Sequence, residues 1–181
     1  MRSEKQTYKL MHDINIKSAG IYQIEDIIEI GSKTFYQTWR PVNTEEDLQL
    51  YLKKAFASEE IVASIKAGHI YYIAYIGEAR VGYYKLRTDR NHEIFNGSKA
   101  IEMERIYVFN EFQKQKVGKA LMDHAIANAK KLQFNWLWLG VNVDNNKAIP
   151  FYKSYGFTIF GTKQFKLGNA IDEDYLMKCP L

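Results

Sequence analysis

The period of the apolar positions changes several times along the chain, and each change marks an element. Ile14 and Ile16 alternate with polar neighbours, which predicts a short first strand. Ile21, Ile24, Ile27, Ile28 and Phe35 then recur at helical spacing. A second helix is predicted from Thr44. Glu45, Glu46 and Asp47 suit the positive end of a helix dipole, Thr44 with Asp47 makes an N-cap pair, and Leu48, Leu52 and Phe56 continue the apolar stripe. At Ile70 the texture becomes β-rich: Ile70–Ile76, a turn at Gly77-Glu78, and Val81–Leu86 read as a hairpin. Asn96-Gly97 ends a polar loop, and Ile101–Phe109 is a further strand. The next helix runs from about Gly118 to Leu132, with Leu121, Met122, Ala125, Ile126 and Ala129 on one face. Trp136–Val143 reads as a buried strand, Lys147–Ser154 as a short helix, and Gly156-Phe157 as the opening of the last strands. The order β, α, α, β, β, β, α, β, α, β, β describes a mixed α/β domain with no internal repeat.

Composition narrows the classes. A chain of 181 residues is one domain by length, long enough to bury about 70% of its unfolded surface. Hydrophobic residues at 46% and charged residues at 25% exclude a disordered chain. A net charge of +4, without a dense basic face, speaks against nucleic acid as partner. Cys179 is the single cysteine, so neither an intrachain disulfide nor a thiolate zinc site forms. His12, His69, His92 and His124 lack metal-ligand spacing, and no metal is expected. Residues 1–13 are polar and without a signal-peptide core, and no apolar run reaches membrane-spanning length. The expectation is a cytoplasmic protein with a loose extension over 1–13 and a domain over 14–181.

Three segments carry candidate chemistry. Glu102-Met103-Glu104-Arg105-Ile106-Tyr107-Val108 is a strand whose alternation puts Glu102 and Glu104 on one face. Gln113-Lys114-Gln115-Lys116-Val117-Gly118-Lys119 is a basic loop feeding a helix, whose unpaired N–H groups and positive dipole end make a ready phosphate site. It lacks the Gly-x-x-x-x-Gly-Lys-Ser/Thr of a P-loop. The third segment runs from Asn145 to Phe157.

In this order the three segments resemble the GCN5-related N-acetyltransferase (GNAT) superfamily. Gln113, Val117 and Gly118 match that family's phosphate loop, Gln/Arg-x-x-Gly-x-Gly/Ala, while Lys116 stands where its first glycine is expected. Asn145, Ala148, Phe151, Tyr152, Gly156 and Phe157 match its later signature. Phe35–Trp39, Glu102–Val108 and Trp138–Val141 are most similar to bacterial polyamine acetyltransferases of the PaiA type.

The resemblance implies a single-domain fold with a mixed, mostly antiparallel sheet flanked by helices. It also implies acetyl-CoA as acetyl donor and a small primary amine, a polyamine such as spermidine or spermine, as acceptor. The pyrophosphate would lie on Lys114, Gln115, Lys116, Val117, Gly118 and Lys119, and the pantetheine arm would pair with the backbone at Ile106, Tyr107 and Val108. Asn145 would meet the pantetheine or phosphate region, and Tyr152 would face the sulfur. Another amine, a protein N-terminus, or a non-catalytic acyl-CoA-binding domain are the alternatives, and a homodimer is open.

A lysine-like amine of pKa about 10.4 is protonated at pH 7, a deficit of about 4.6 kcal/mol that a base relieves. Glu102 and Glu104 are equal candidates for that base, and Tyr152 is the candidate acid for the leaving thiolate. Glu25, Asp26, Glu29, Glu45, Glu46 and Asp47 on the first two helices offer carboxylates to a polycation.

Overall fold

The computed structural model describes residues 13–181, so the expected extension over 1–13 lies, apart from Asp13, outside the described residues. Seven strands form one sheet in the order β1-β2-β3-β4-β5-β7-β6. They are β1 (Ile14–Ala19), β2 (Ile70–Ile76), β3 (Ala79–Arg87), β4 (Ala100–Val108), β5 (Trp136–Asn142), β6 (Thr158–Leu167) and β7 (Ala170–Pro180). Every neighbouring pair is antiparallel except β4 with β5. Five helices flank the sheet: α1 (Ile24–Trp39), α2 (Glu45–Ala55), α3 (Ser58–Lys66), α4 (Val117–Lys131) and α5 (Ala148–Ser154).

Each face of the sheet has its own core, because the strands alternate side chains between two helical layers. On one face Leu121, Met122, Ala125 and Ala129 of α4 pack against Leu86, Ile101, Met103, Leu137 and Leu139. On the other, Ile27, Ile30 and Phe35 of α1, Leu48 of α2 and Ile61 of α3 cover Tyr71, Ile73 and Tyr83. Gly31 lets α1 sit close, since a Cβ there would overlap the Phe56 ring.

The predicted elements form where the periodicity puts them, and Thr44 Oγ1 accepts from the Asp47 N–H at 3.2 Å as the α2 cap. The one helix the sequence did not announce is α3. Its N-cap is Ala57, which offers no side-chain acceptor, and Phe56 joins it directly to the end of α2. Ile61 and the partly buried Ile65 secure it by packing rather than by capping.

Two irregularities shape the centre of the sheet. Pairing of β4 with β5 covers only Ala100–Glu102 against Trp136–Trp138, although both strands continue. Just beyond, Glu104 is an extra residue on β4: Lys85 faces Arg105 and Leu86 faces Met103. Such a bulge bends its strand and increases the twist.

Replacing Leu121, fully buried under the sheet, by Ala is expected to cost about 3 kcal/mol in urea unfolding. Leu50→Ala, at a half-exposed position on α2, is expected to stay within about 0.5 kcal/mol. Equal costs for the two would mean that α4 does not close this core.

Candidate active site

Past Glu102 and Trp138, β4 and β5 separate, so one edge of β4 has no strand to pair with inside the sheet. Backbone N–H and C=O groups need partners. The resulting slot suits an extended, amide-bearing chain, which adds to the edge as a strand would. Ile106, Tyr107 and Val108 lie on this stretch. Ile106 and Val108 lean on the α4 core, whereas Tyr107 packs under α1, where its hydroxyl accepts from Trp39 Nε1 at 3.3 Å.

The loop at the mouth of the slot is built as expected for an anion. Lys116 precedes the first turn of α4 with φ 66° and ψ 7°, a left-handed residue with no side-chain cap bond. Lys114 is left-handed too, at φ 64°. Interleaved left-handed residues gather backbone N–H groups into an anion-binding concavity, and the first N–H groups of a helix have no intrahelical acceptor. Gln113 and Gln115 turn back on the loop: Gln113 Nε2 donates to Asn110 Oδ1 at 3.0 Å, and Gln115 Nε2 to the Glu111 carbonyl at 2.9 Å. Lys119 pairs with Asp123 at 2.7 Å, while Val117 is buried beneath the turn. The cradle and the slot together fit the pyrophosphate and the arm of coenzyme A.

Glu102 and Glu104 both project to the α1–α3 face, but simple alternation does not continue past them. The bulge puts Glu104 and Arg105 on that same face and sends Ile106 to the other. The two carboxylates then differ sharply in surroundings. Glu102 is 1% exposed at the point where the strands part, with Arg90 NH1 3.4 Å from one oxygen and Lys163 Nζ 4.0 Å from the other. Burial pushes its carboxyl up from the ordinary value, and Arg90 and Lys163 only partly oppose this. Burial would push Glu104 up as well, but Arg105, Lys85 and Arg87 outweigh it and hold the carboxyl below the usual range. Lys85 Nζ stands 2.5 Å from Glu104 Oε2, a close charge-assisted contact between two largely buried groups.

Tyr152 of α5 is 8% exposed and packs edge-on against Phe151 and tilted against Phe157. Burial, with the neighbouring Tyr107, keeps its phenol protonated well above the ordinary value. Asn145 is already engaged within the fold. Its Oδ1 accepts from the Ala148 N–H at 3.0 Å and starts α5, leaving only the side-chain amide hydrogens for a ligand.

Most of the helix acids are committed within the fold. Arg80 bonds both Asp26 and Glu29, Glu45 accepts from Tyr36 at 2.8 Å and pairs with Arg40, and Asp47 accepts from the Asn169 N–H at 2.6 Å. Sequence analysis does not single out Lys85, Arg105 and Lys163, which face the two strand glutamates, or Asp174, which lies beside Lys163. The available signal was charge inside buried strands: Lys85 follows Val81-Gly82-Tyr83-Tyr84, and a lysine is buried only with a partner. Among the described residues no group of His, Cys, Asp and Glu is arranged to hold a metal, and no helix is long and apolar enough to cross a membrane.

Comparison with known proteins identifies the family and the fold. Residues 24–157 match the acetyltransferase (GNAT) family. An uncharacterized N-acetyltransferase of Lactobacillus delbrueckii subsp. lactis is 30% identical over 171 residues, which is 93% of this chain and 98% of the relative. A spermidine N(1)-acetyltransferase of Thermoplasma acidophilum is 26% identical over 154 residues, 82% of this chain and 91% of the relative. The crystal structure of a PaiA N-acetyltransferase from the same organism, in complex with coenzyme A, superposes with a TM-score of 0.76 at 20% identity, covering 93% of this chain and 99% of that one.

The left-handed Lys116 gives a direct test of the loop. A non-glycine residue there costs about 1–2 kcal/mol, and glycine returns about 0.5–1 kcal/mol of that in backbone entropy. Lys116→Gly is therefore expected to raise stability by up to about 1 kcal/mol in urea unfolding. Coenzyme A affinity by titration calorimetry is expected to fall by no more than about tenfold, because the backbone donors remain. Abolished binding would mean that the lysine side chain, not the loop backbone, is the anchor.

Proposed function

This chain belongs to the acetyltransferase (GNAT) family and is an acetyl-CoA-dependent N-acetyltransferase, and on that footing we propose that Glu102 is the base that frees its acceptor amine. The observation that carries this reading is a buried carboxylate, raised above its ordinary value, where β4 and β5 part. A base works best when its pKa approaches the working pH. Glu104, locked as an anion among three cations, is a weaker proton acceptor, and its charge is already met by Arg105, Lys85 and Arg87.

The remaining roles follow from position. The turn from Lys114 to Lys119 offers its N–H groups to the pyrophosphate, and the backbone from Ile106 to Val108 aligns the arm. Asn145 supplies its amide hydrogens at the other wall of the slot. Tyr152, kept protonated by burial, donates a hydrogen bond to the leaving sulfur, which takes its proton from the acetylated nitrogen. The acetyl group passes directly from sulfur to nitrogen.

For the acceptor, a polyamine is the reading with specific support. The spermidine acetyltransferase relative matches over most of both chains. On the face that receives the acceptor lie three buried or half-buried carboxylates, Glu102, Glu104 and Asp174, each facing a lysine or arginine that an incoming cation has to displace. A cation leaving water needs such partners. The helix acids contribute less than their number suggests, since Arg80, Arg40 and the Asn169 amide occupy them.

Glu102→Gln is expected to lower kcat/KM by about 10²-fold or more, and Glu104→Gln by about tenfold. The sign of the pH dependence follows from the raised Glu102. Below its pKa, kcat/KM is expected to rise tenfold per pH unit as Glu102 loses its proton. Above it the profile levels, because the acceptor arrives as an ammonium and Glu102 removes its proton. In Glu102→Gln only the free amine reacts, so kcat/KM rises tenfold per unit with no break up to the amine pKa. A break that survives in Glu102→Gln assigns the base elsewhere. In a single-turnover assay, Tyr152→Phe is expected to slow the chemical step without changing acetyl-CoA binding, and an unchanged rate would make Tyr152 a core residue only.

In an acetyl-CoA turnover assay across polyamines, amino acids, aminoglycosides and peptide N-termini, spermidine and spermine are expected to give the highest kcat/KM. Neutral monoamines matching spermidine would rule out the polyamine assignment and leave acetyl transfer intact.

A further inference from the structure

Lys163 reaches from β6 across the sheet to β5. Its Cε and Nζ lie 2.8 and 2.9 Å from the point where a Cβ on residue 140 would stand, and Asp174 Oδ2 lies 3.2 Å from the same point. Residue 140 is glycine, and any side chain there would push the lysine out. Gly140 is two residues past Trp138, the last β5 residue paired to β4, so the lysine head lies at the Glu102 end of the slot. Its Nζ is 4.0 Å from Glu102 Oε1, within ion-pair range but beyond a hydrogen bond. The side chain is 33% exposed, while Glu102 and Asp174 beside it are more than nine-tenths buried. A flexible primary amine, loosely held, thus faces the proposed base and a second buried carboxylate where the acceptor amine has to arrive.

We propose that Lys163 occupies the place of the acceptor amine and that, with no acceptor bound, its own ε-amine is acetylated. This rests on the reading of Glu102 as the base beside the transferring acetyl group. The Lys163 ammonium gives one proton to Glu102, and the free nitrogen forms an amide bond to the acetyl carbon as the carbon–sulfur bond breaks. The electron pair leaves on sulfur, which takes the second proton from nitrogen; Glu102 returns the first to solvent. The products are Nε-acetyl-Lys163 and coenzyme A, with no oxidation, reduction or further reactant.

Among the described residues, other lysines do not share this setting. Lys53 and Lys54 are exposed on α2 and react, if at all, as free amines in solution. Lys85 is buried and tied to Glu104 at 2.5 Å.

The test is incubation of the full chain with acetyl-CoA and no amine, followed by peptide mass mapping. One acetyl group per chain is expected, on Lys163, at a rate that saturates with acetyl-CoA and drops when excess coenzyme A is added. Glu102→Gln is expected to slow the labelling by about 10²-fold. Lys163→Arg, which keeps the charge but offers no nucleophile, is expected to remove the label while melting as the wild type does. Label spread over Lys53, Lys54 and other exposed lysines, linear in acetyl-CoA and indifferent to coenzyme A, would overturn the proposal. So would an unmodified Lys163 in a chain that acetylates spermidine or another amine normally, and that result would leave the proposed function standing. A chain that labels neither Lys163 nor any amine would overturn both.

Discussion

The separation of β4 from β5 after Glu102 and Trp138 is the constraint on which the rest of the molecule depends. A parallel pair inside a sheet normally continues until a strand ends, because each unpaired backbone group costs a hydrogen bond. Here β5 keeps full pairing with β7 on its other side, from Trp136 to Asn142, and β4 keeps its pairing with β3. The split therefore costs one edge on each strand while the sheet stays anchored on both sides. The extra residue at Glu104 bends β4 at this point. A slot opens through the middle of the sheet, with the N-terminal turn of α4 at one end and Glu102 at the other. Closing it would strengthen the sheet and remove the slot that the proposed function assigns to the cofactor.

The bulge also governs charge. Without it, Arg105 would point into the apolar core under α4. With it, Arg105 lies over the Phe56 ring at 4.3 Å and bonds the Tyr51 hydroxyl at 3.4 Å, on the face that holds both glutamates. Lys85 and Arg87 from β3 complete the surroundings of Glu104, and Arg87 hands the network on to Asp89 through bonds of 3.0 and 2.8 Å. Asp89 in turn meets His69 at 3.0 Å, whose other ring nitrogen is 2.8 Å from Ser64 Oγ. Buried ionic groups of this kind are a weak source of stability, since desolvation offsets the attraction. Their physical effect here is to separate two neighbouring carboxyls, one raised by burial at Glu102 and one held anionic at Glu104.

Several parts were legible in the chain because local physics decides them. The Thr44 cap, the hairpin turn at Gly77-Glu78 and the apolar face from Leu121 to Ala129 are set within a few residues of sequence. The anion loop belongs to the same class: a left-handed residue before a helix creates the donor cradle whatever packs around it, even with Lys116 in place of a glycine. α3 escaped notice because packing onto α1, not capping, makes it a helix.

What the sequence alone determined was thus the order of all the strands and of every helix but α3, and the α/β class, both consequences of periodicity and short-range hydrogen bonding. Tertiary structure alone decided what differs between Glu102 and Glu104. Their spacing on a strand is symmetrical, and nothing local tells them apart. The difference comes from Arg90, Lys163, Lys85, Arg87 and Arg105, brought in from other strands and loops, and from the depth at which the sheet buries each carboxyl. Electrostatic free energy depends on distance and on exclusion of water, and both exist only after distant segments have packed.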